Sequence, residues 1–277
     1  MVKMLYEDKI LVTGGSGYIG QATMSLIPKA INADLRDNGY PVNLLNYNDL
    51  YFYMMSKEIK AVLHLAAFKS INDSLINPVK YYYNNMVSSL NILKVCKELN
   101  IPIVFASSAA IYNNSNPYSK TKMFFEEIIK DSFVDYIILR YFNVGGLIKN
   151  PNEYQKGNVF DIIRDCLNLD KHFTLNKYTS PRDYSHVMDI AEINVEALKM
   201  VMGGIKNKTY DVYSGSNTSL DTIINMYKEK GFNIKTVENS NVVEKEVQIN
   251  KNRFPHINKF NIEDIIDSEI KYGVDKK

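Results

Sequence analysis

KILVTGGSGYIG, residues 9–20, runs from a short apolar strand directly into a glycine turn and the opening of a helix. Gly15, Gly17 and Gly20 satisfy G-x-G-x-x-G, and Gly14, Gly17 and Gly20 satisfy the wider G-x-x-G-x-x-G. Glycines here tighten the turn and let the backbone approach a pyrophosphate, which rests on the positive end of the helix that Tyr18 and Ile19 open. Strand, turn and helix in this order predict a dinucleotide-binding βα unit. The next strand ends at Asp34, fourteen positions after Gly20. An acid there accepts both hydroxyls of an adenosine ribose and repels a 2′-phosphate, which favours NAD over NADP; Arg36, two residues on, works against that repulsion. Asn43, with Leu44 at the end of a third expected strand, is placed either to meet an adenine edge or to form a turn.

Outward from this unit, short apolar runs alternate with amphipathic stretches, the pattern of βαβ units around a parallel sheet. Strands are expected at 9–13, 30–34, 41–45, 60–66, 101–107 and 134–142, and helices at 18–28, 48–57, 79–99 and 118–130. In the third helix Met86, Leu90, Leu93 and Leu99 recur at helical spacing and predict a core-facing stripe. Beyond residue 144 the alternation breaks down. Segments 158–169, 190–202 and 219–230 read as helices, 209–213 as a β piece, and Gly203-Gly204 as a helix stop. The expected architecture is an α/β, Rossmann-type doubly wound parallel sheet over 1–144, with 184–202 returning to it. A smaller substrate-binding lobe occupies 145–277, and the site lies in the cleft between.

The chain's 277 residues, 45% hydrophobic and 23% charged, suit one large α/β domain or one with a smaller lobe. Thirty-three basic residues against 31 acidic leave +2, too balanced for a nucleic-acid or membrane-surface binder. MVKMLYEDKI carries acids where a signal peptide needs apolar residues, and no apolar run approaches the ~20 residues of a membrane span. Cys96 and Cys166 read as separate reduced thiols. The expected location is the cytoplasm. The four histidines, His64, His172, His186 and His256, show no metal-ligand spacing, and no metal is expected.

NPYSKTK, residues 116–122, sets Tyr118 and Lys122 four apart at a helix start, so both lie on one face. A free tyrosine has a pKa of ~10 and is a poor base at neutral pH. A neighbouring ammonium and a positive nicotinamide ring both favour the phenolate. Ser108, ending the preceding strand, can share the hydroxyl proton and orient a substrate. Tyr-x-x-x-Lys also arises by chance on solvated helices; the upstream glycine turn and serine strand favour the catalytic reading.

The motifs ILVTGGSGYIG, AVLHLAAFKSINDSLINPVKYYYNN, FASSAAIY, PYSKTK, LRYFNVGG and RDYSHVMD, spread over residues 9 to about 230, resemble the UDP-galactose 4-epimerase branch of the extended short-chain dehydrogenase/reductases. The resemblance implies Ser108, Tyr118 and Lys122 as the catalytic triad, with NAD as tightly held cofactor. It implies Ala66, Ala67 and Lys69 along the pyrophosphate and nicotinamide ribose, Asn85 nearby, and Tyr141 facing the nicotinamide. Asn143, Asn158 and Arg182 would hold the UDP part of a UDP-hexose, the arginine fork matching phosphate oxygens. Taken alone, Arg182-Asp183 also reads as a surface ion pair and Asn158 as a helix cap. A homodimer through helices 79–99 and 118–130 is implied as well.

The chain departs from that family in three places. Only residues 113–117 separate Tyr112 from Tyr118, where the family carries a longer loop; Val144 replaces a proline; and no R-x-G-D segment follows, leaving Arg253 as a substitute candidate. The activity implied is 4-epimerisation through a transient 4-keto sugar. A 4-keto-sugar reductase would share the triad and consume NAD(P)H. A 4,6-dehydratase would carry Asp-Glu where Ala109-Ala110 stand, and a non-catalytic NAD-binding regulator would typically lack the tyrosine.

Overall fold

β1 (Ile10–Thr13) is buried along its whole length, as a strand covered on both faces must be. It pairs in parallel with β2 (Ile31–Ala33) on one side and β3 (Ala61–His64) on the other. The sheet continues through β4 (Ile103–Ser108), β5 (Tyr136–Tyr141) and β9 (Lys208–Val212), all parallel, in the order β2-β1-β3-β4-β5-β9. The protein is represented by a computed structural model that describes residues 9–36, 41–149, 158–178, 180–243 and 252–274.

Strict alternation along each strand divides the core into two layers. Ile10, Val12, Leu63, Val104, Ile137 and Leu139 face α1 (Tyr18–Leu26) and α7 (Val187–Met202). Leu11, Val62, Ile103, Phe105 and Ile138 face α2 (Tyr47–Ser56), α4 (Pro78–Leu99) and α5 (Pro117–Asp131). The short α3 (Ile71–Ile76) follows β3. The remaining elements form a smaller lobe: β6 (Asn143–Gly145), β8 (Arg182–His186) and β10 (Asn217–Thr218) make one sheet, β7 (Phe173–Tyr178) and β11 (Thr236–Val243) another. α6 (Val159–Leu169), α8 (Leu220–Glu229) and α9 (Ile262–Gly273) enclose a third core around Phe160, Ile163, Ile223, Tyr227 and Ile265.

A buried polar relay joins the two parts. The Tyr18 hydroxyl donates to the Gly146 carbonyl, the Gly146 N–H donates to Glu269 Oε1 at 3.1 Å, and Arg164 Nη1 donates to Glu269 Oε2 at 2.6 Å. Burial pushes the Glu269 carboxyl up to about 7 against the pull of Arg164.

Two expectations are corrected. Residues 41–45 form no strand: Val42 and Leu44 alternate into the core, but the backbone turns, with the Leu45 N–H donating to Asn43 Oδ1 and the Asn46 N–H to the Asn43 carbonyl. Pro41 has no N–H for a ladder, and Asn43 offers its own acceptor to the turn instead. The stripe on α4 also splits. Leu93 is buried, but Leu90 is 41% exposed and Met86 half-buried, while Tyr81, Asn85, Ser88 and Ser89 form the inner face. Serine and asparagine face inward because hydroxyl and amide partners await them there, which apolar periodicity does not register.

α9 and most lobe strands went unread in the sequence, although the capping box of Asn261 and Asp264 marks the start of α9. Cys96 and Cys166 are both free and buried. Among the described residues no helix is long and apolar enough to cross a membrane. Residues 1–8 and 275–277, which bear on the reading of the two termini, lie outside the described residues.

Replacing Arg164 by Met strands the buried Glu269 carboxylate and is expected to cost about 3–5 kcal/mol in urea unfolding at pH 8. Glu269→Gln in the same chain should recover most of the loss. A single variant as stable as the parent would show that the pair is not buried in solution.

Candidate active site

The strand order reverses direction between β2 and β3, on either side of β1, and ligands of open α/β sheets bind beyond the carboxyl ends of the strands at such a point. A cleft of about 1720 Å³ opens there, walled on one side by the glycine turn and on the other by the lobe. Of the residues singled out in the sequence, Gly14, Gly17, Tyr18, Ile19, Gly20, Asp34, Asn43, Leu44, Ala66, Ala67, Lys69, Ser108, Tyr118, Lys122, Tyr141, Asn143, Asn158 and Arg182 all line it.

On the nucleotide side, Gly14 has φ +70°, and a Cβ on Gly20 would stand 2.1 Å from the Gly14 carbonyl oxygen, so a side chain at either position disrupts the turn. Gly17, the N-cap of α1, contributes no side-chain cap, and the first N–H groups of the helix stand at the cleft without one. A tight turn, a close backbone approach and an uncapped helix end fit a diphosphate. Burial tends to raise the Asp34 pKa, but hydrogen bonds from Arg36 and its charge outweigh burial and hold the carboxyl below its usual range. Arg36 Nε and Nη2 each lie 3.2 Å from an Asp34 oxygen.

Behind the 65–69 loop the Ala66 N–H donates to Thr13 Oγ1 at 3.2 Å. Asn85, expected near the cofactor, does not reach the cleft wall. Its amide is buried against Phe68, accepting from the Phe68 N–H at 2.9 Å and donating to the Phe68 carbonyl at 3.0 Å, with Thr121 Oγ1 at 3.2 Å. It therefore holds the loop that carries Lys69. His64 bridges Thr13 and Ser89, stacks on Phe105, and is driven by burial down to about 3, which keeps the ring neutral.

β4 delivers Ser108 to the cleft floor, where its Oγ accepts from the Ala110 N–H at 3.2 Å and caps the 3₁₀ turn Ala109–Tyr112. α5 starts on a capping box, with the Ser119 N–H donating to Asn116 Oδ1 at 2.9 Å and the Asn116 N–H to Ser119 Oγ at 3.3 Å. That rigid start points Tyr118 and Lys122 into the same wall. Lys122 Nζ donates to the Ala106 carbonyl at 2.7 Å and sits 4.8 Å from the Phe105 ring centroid. Burial lowers its pKa to about 7, with Glu126 opposing.

Tyr118 departs from expectation. Burial raises its phenol above 10, a hydrogen bond from Ser108 pulls it down, and Tyr81 pushes it up. The anticipated lowering by Lys122 does not emerge: the amine is committed to the Ala106 carbonyl, and with its own pKa lowered to about 7 it carries only part of its charge at neutral pH.

A network not read in the sequence lies behind the wall that carries Ser108, Tyr118 and Lys122. Ser107 Oγ donates to Glu126 Oε1 at 2.5 Å, Arg140 Nη2 to Glu126 Oε2 at 2.7 Å and Arg140 Nη1 to the Tyr112 hydroxyl at 2.9 Å, which donates to Asp211 Oδ1 at 2.6 Å. Glu126 at four residues from Lys122 and a lone Arg140 inside the apolar strand YIILRY were its sequence signals.

At the end of β5 Tyr141 donates to Asn194 Oδ1 of α7 at 2.5 Å, and on the lobe side Asn143 Nδ2 donates to the Asp183 carbonyl at 2.9 Å. Asn158 caps α6, accepting from the Asp161 N–H at 2.7 Å, and its amide donates to the Val144 carbonyl at 3.0 Å. Arg182 opens β8. The neighbouring Asp183 carboxylate gathers the N–H groups of Ser214, Gly215 and Ser216 at 2.7, 2.7 and 3.0 Å. Arg253, the substitute phosphate ligand, lies off the cleft. Its guanidinium donates to the carbonyls of Tyr213 and Ser214 at 3.1 and 2.7 Å, so it braces that turn.

The Lys122 amine loses its proton near pH 7 when folded and near 10.5 when unfolded. Between those values the unfolded chain binds the extra proton, so this group makes stability rise with pH. Denaturant unfolding of the cofactor-free protein at pH 7, 8.5 and 10 should show that rise reduced in Lys122→Met. Parallel pH profiles for parent and variant would mean that Lys122 is not depressed.

Residues 10–212 match the model of the NAD dependent epimerase/dehydratase family. The UDP-glucose 4-epimerase of Yersinia enterocolitica is 30% identical, over 79% of this chain and 81% of that protein. A UDP-glucose 4-epimerase of Cyamopsis tetragonoloba is 29% identical, over 79% of each. The crystal structure of UDP-glucose 4-epimerase from Brucella ovis in complex with NAD superposes with a TM-score of 0.87, covering 97% of this chain and 99% of that one, at 22% identity, a likeness of fold. With the family's pattern running from β1 to the end of β9 and the glycine turn, serine strand and Tyr118–Lys122 helix meeting at one cleft, the chain belongs to the NAD dependent epimerase/dehydratase family.

Proposed function

We propose that this chain is an NAD-dependent 4-epimerase of UDP-hexoses, interconverting UDP-glucose and UDP-galactose. The observation that carries the reading is the meeting of Ser108, Tyr118 and Lys122 with the uncapped glycine turn in one cleft, whose far wall bears Asn143 and Arg182. Relatives named UDP-glucose 4-epimerase at about 30% identity supply the substrate class. In this reading the nucleotide half, 1–144 with 184–202 returning to it, binds the cofactor, and the lobe of 145–277 takes the nucleotide of the substrate.

Gly14, Gly17 and Gly20 with the first turn of α1 hold the diphosphate of NAD, and Asp34 holds the adenosine ribose. Lys122 and the 66–69 loop hold the nicotinamide end. NAD supplies a reversible acceptor for the hydrogen on the sugar C4. Tyr118 Oη takes the proton of the sugar O4 and gives it back, and Ser108 Oγ hydrogen-bonds O4 throughout. A phenol raised by burial is a reluctant base, so a positive charge beside it is needed to bring it toward the working pH; protonated Lys122 is the cation this chain offers. Arg182 and Asn143 hold the UDP phosphates while the 4-keto sugar turns over between them. The five-residue 113–117 link leaves the sugar end of the cleft open.

The protein incubated with UDP-glucose, without added cofactor, should yield UDP-galactose by proton NMR with no accumulated NADH. Tyr118→Phe should lower kcat by about 10²–10⁴-fold yet retain bound NAD, released and quantified after denaturation. Near-normal turnover in that variant, or turnover of a 4-keto sugar only when NAD(P)H is supplied, would overturn the assignment.

The protein works as a homodimer in the cytoplasm, where its two buried thiols stay reduced. On α4, Val79, Tyr83 and Leu90 are 79%, 60% and 41% exposed at helical spacing, and Phe124 on the adjoining α5 is 41% exposed. Large apolar side chains exposed on two helices that pack side by side suit a second copy. Light scattering at micromolar concentration should give twice the chain mass, and Leu90→Lys with Phe124→Lys should give the single mass with unchanged far-UV circular dichroism. A monomeric parent would remove this part of the reading.

A further inference from the structure

We propose that Asp189, Glu192 and His256 form a divalent-cation site, apart from the cleft, that clamps segment 252–261 onto α7. Asp189, Glu192 and Glu196 share one face of that helix. Asp189 is fully buried, its Oδ1 accepting from the Lys259 N–H at 2.9 Å and its Oδ2 from the Phe260 N–H at 3.3 Å, which fixes both the carboxylate and the segment.

The imidazole of His256 carries the argument. Its side chain is 5% exposed, and Nδ1 lies 3.1 Å from Glu196 Oε2. A carboxylate only accepts, so Nδ1 carries the hydrogen of that bond, and in the neutral ring Nε2 then presents a lone pair. Nε2 is buried without a hydrogen-bond partner. It lies 3.7 Å from Asp189 Oδ1 and 4.0 Å from Glu192 Oε2. A cation held between that lone pair and the two anionic oxygens satisfies all three atoms at once.

The three donor atoms lie within 4.8 Å of one another, and Nε2 stands 3.7 and 4.0 Å from the two oxygens. That is somewhat wider than the about 3.4 Å between neighbouring ligands of a tetrahedral ion with bonds of about 2.0–2.2 Å, so the partly exposed Glu192 carboxylate closes in on binding. A ligating imidazole whose other nitrogen donates to a carboxylate is the usual arrangement behind a protein-bound metal. Lys259 Nζ, 2.6 Å from Glu192 Oε1, offsets one of the three carboxylates and leaves two for a divalent ion. Glu192 and Glu196, 23% and 43% exposed, open a path from solvent. One imidazole with carboxylate oxygens suits Zn²⁺ or Mn²⁺ better than a thiolate-seeking ion.

The clamp acts at a distance from the chemistry. Segment 252–261 begins with the Asn252 carbonyl accepting from the Asp211 N–H of β9 and with Arg253 bracing the Tyr213–Ser214 turn. A bound ion therefore fastens the lobe's last connection to the nucleotide half and stabilises the folded chain.

The test is calorimetric titration of the full-length protein, dialysed against chelator, with ZnCl₂ and separately MnCl₂, paired with thermal unfolding at each ion concentration. One equivalent should bind, with a rise in Tm that grows with ion concentration. His256→Gln and Glu192→Gln should each weaken binding at least tenfold and abolish the Tm rise. Lys259→Met, which removes the competing ammonium, should tighten it. Glu192 is partly exposed, so its variant folds even if that of His256 does not. Failure of both ions to bind below 1 mM in the parent, binding equally tight in both ligand variants, or a nitrogen spectrum with His256 doubly protonated at pH 7.5 in the presence of either ion would each overturn the site.

Discussion

The close approach of backbone to backbone in the glycine turn is the constraint on which the rest of this structure leans. With the Gly14 carbonyl 2.1 Å from where a Cβ on Gly20 would stand, α1 can begin only directly beyond β1. The helix's uncapped end is thereby set at the reversal point of the sheet, and its other flank is laid on α7. Because Tyr18 is the first residue of that helix, its hydroxyl reaches Gly146, and from there Glu269 and Arg164 join the nucleotide half to the lobe. One tight turn thus governs both where a cofactor lies and how far the opposite wall of the cleft stands from it.

Burial of charge is the second theme, and it works in opposite directions on acid and base. Glu269 is pushed up to about 7 and Lys122 down to about 7 by the same cause, loss of water around the ionised form. Glu269 has Arg164 to offset that loss and serves as a structural joint. Lys122 faces a backbone carbonyl and an aromatic ring, with Glu126 four residues away as its nearest anion, and so remains poised between its two protonation states. This poised amine and the buried Tyr118 phenol line the same cleft. The backing network of Glu126, Arg140, Tyr112 and Asp211 holds both in place without entering the cleft.

The nucleotide half was legible because its physics is local. Alternating apolar strands, a glycine turn and a capped helix start each leave a signature within about ten residues, and the sheet order follows from parallel pairing and right-handed crossovers. Legibility failed where a local pattern had two structural outcomes. Residues 41–45 alternate as a strand does, yet the alternation is served by a turn that Asn43 accepts. The α4 stripe was periodic, yet Leu90 faces outward while Ser88 and Ser89 face in, since polar partners and a second apolar surface are invisible to periodicity. Lobe strands as short as β10, two residues long, carry too little pattern to read.

From the sequence alone came the strands of the sheet, the glycine turn, Asp34, Asn43 and the Ser108–Tyr118–Lys122 set, because each rests on a local pattern. Ala66, Ala67, Lys69, Asn85, Tyr141, Asn143, Asn158 and Arg182 came as candidates from the resemblance to a family. Only the tertiary structure decided that Asn85 holds a loop, that Arg253 braces a turn, that Lys122 leaves Tyr118 above its free pKa, and that His256 meets two acids of a helix some sixty residues away. Burial, desolvation and contacts between distant segments exist only once the chain has closed on itself, so no local pattern carries them.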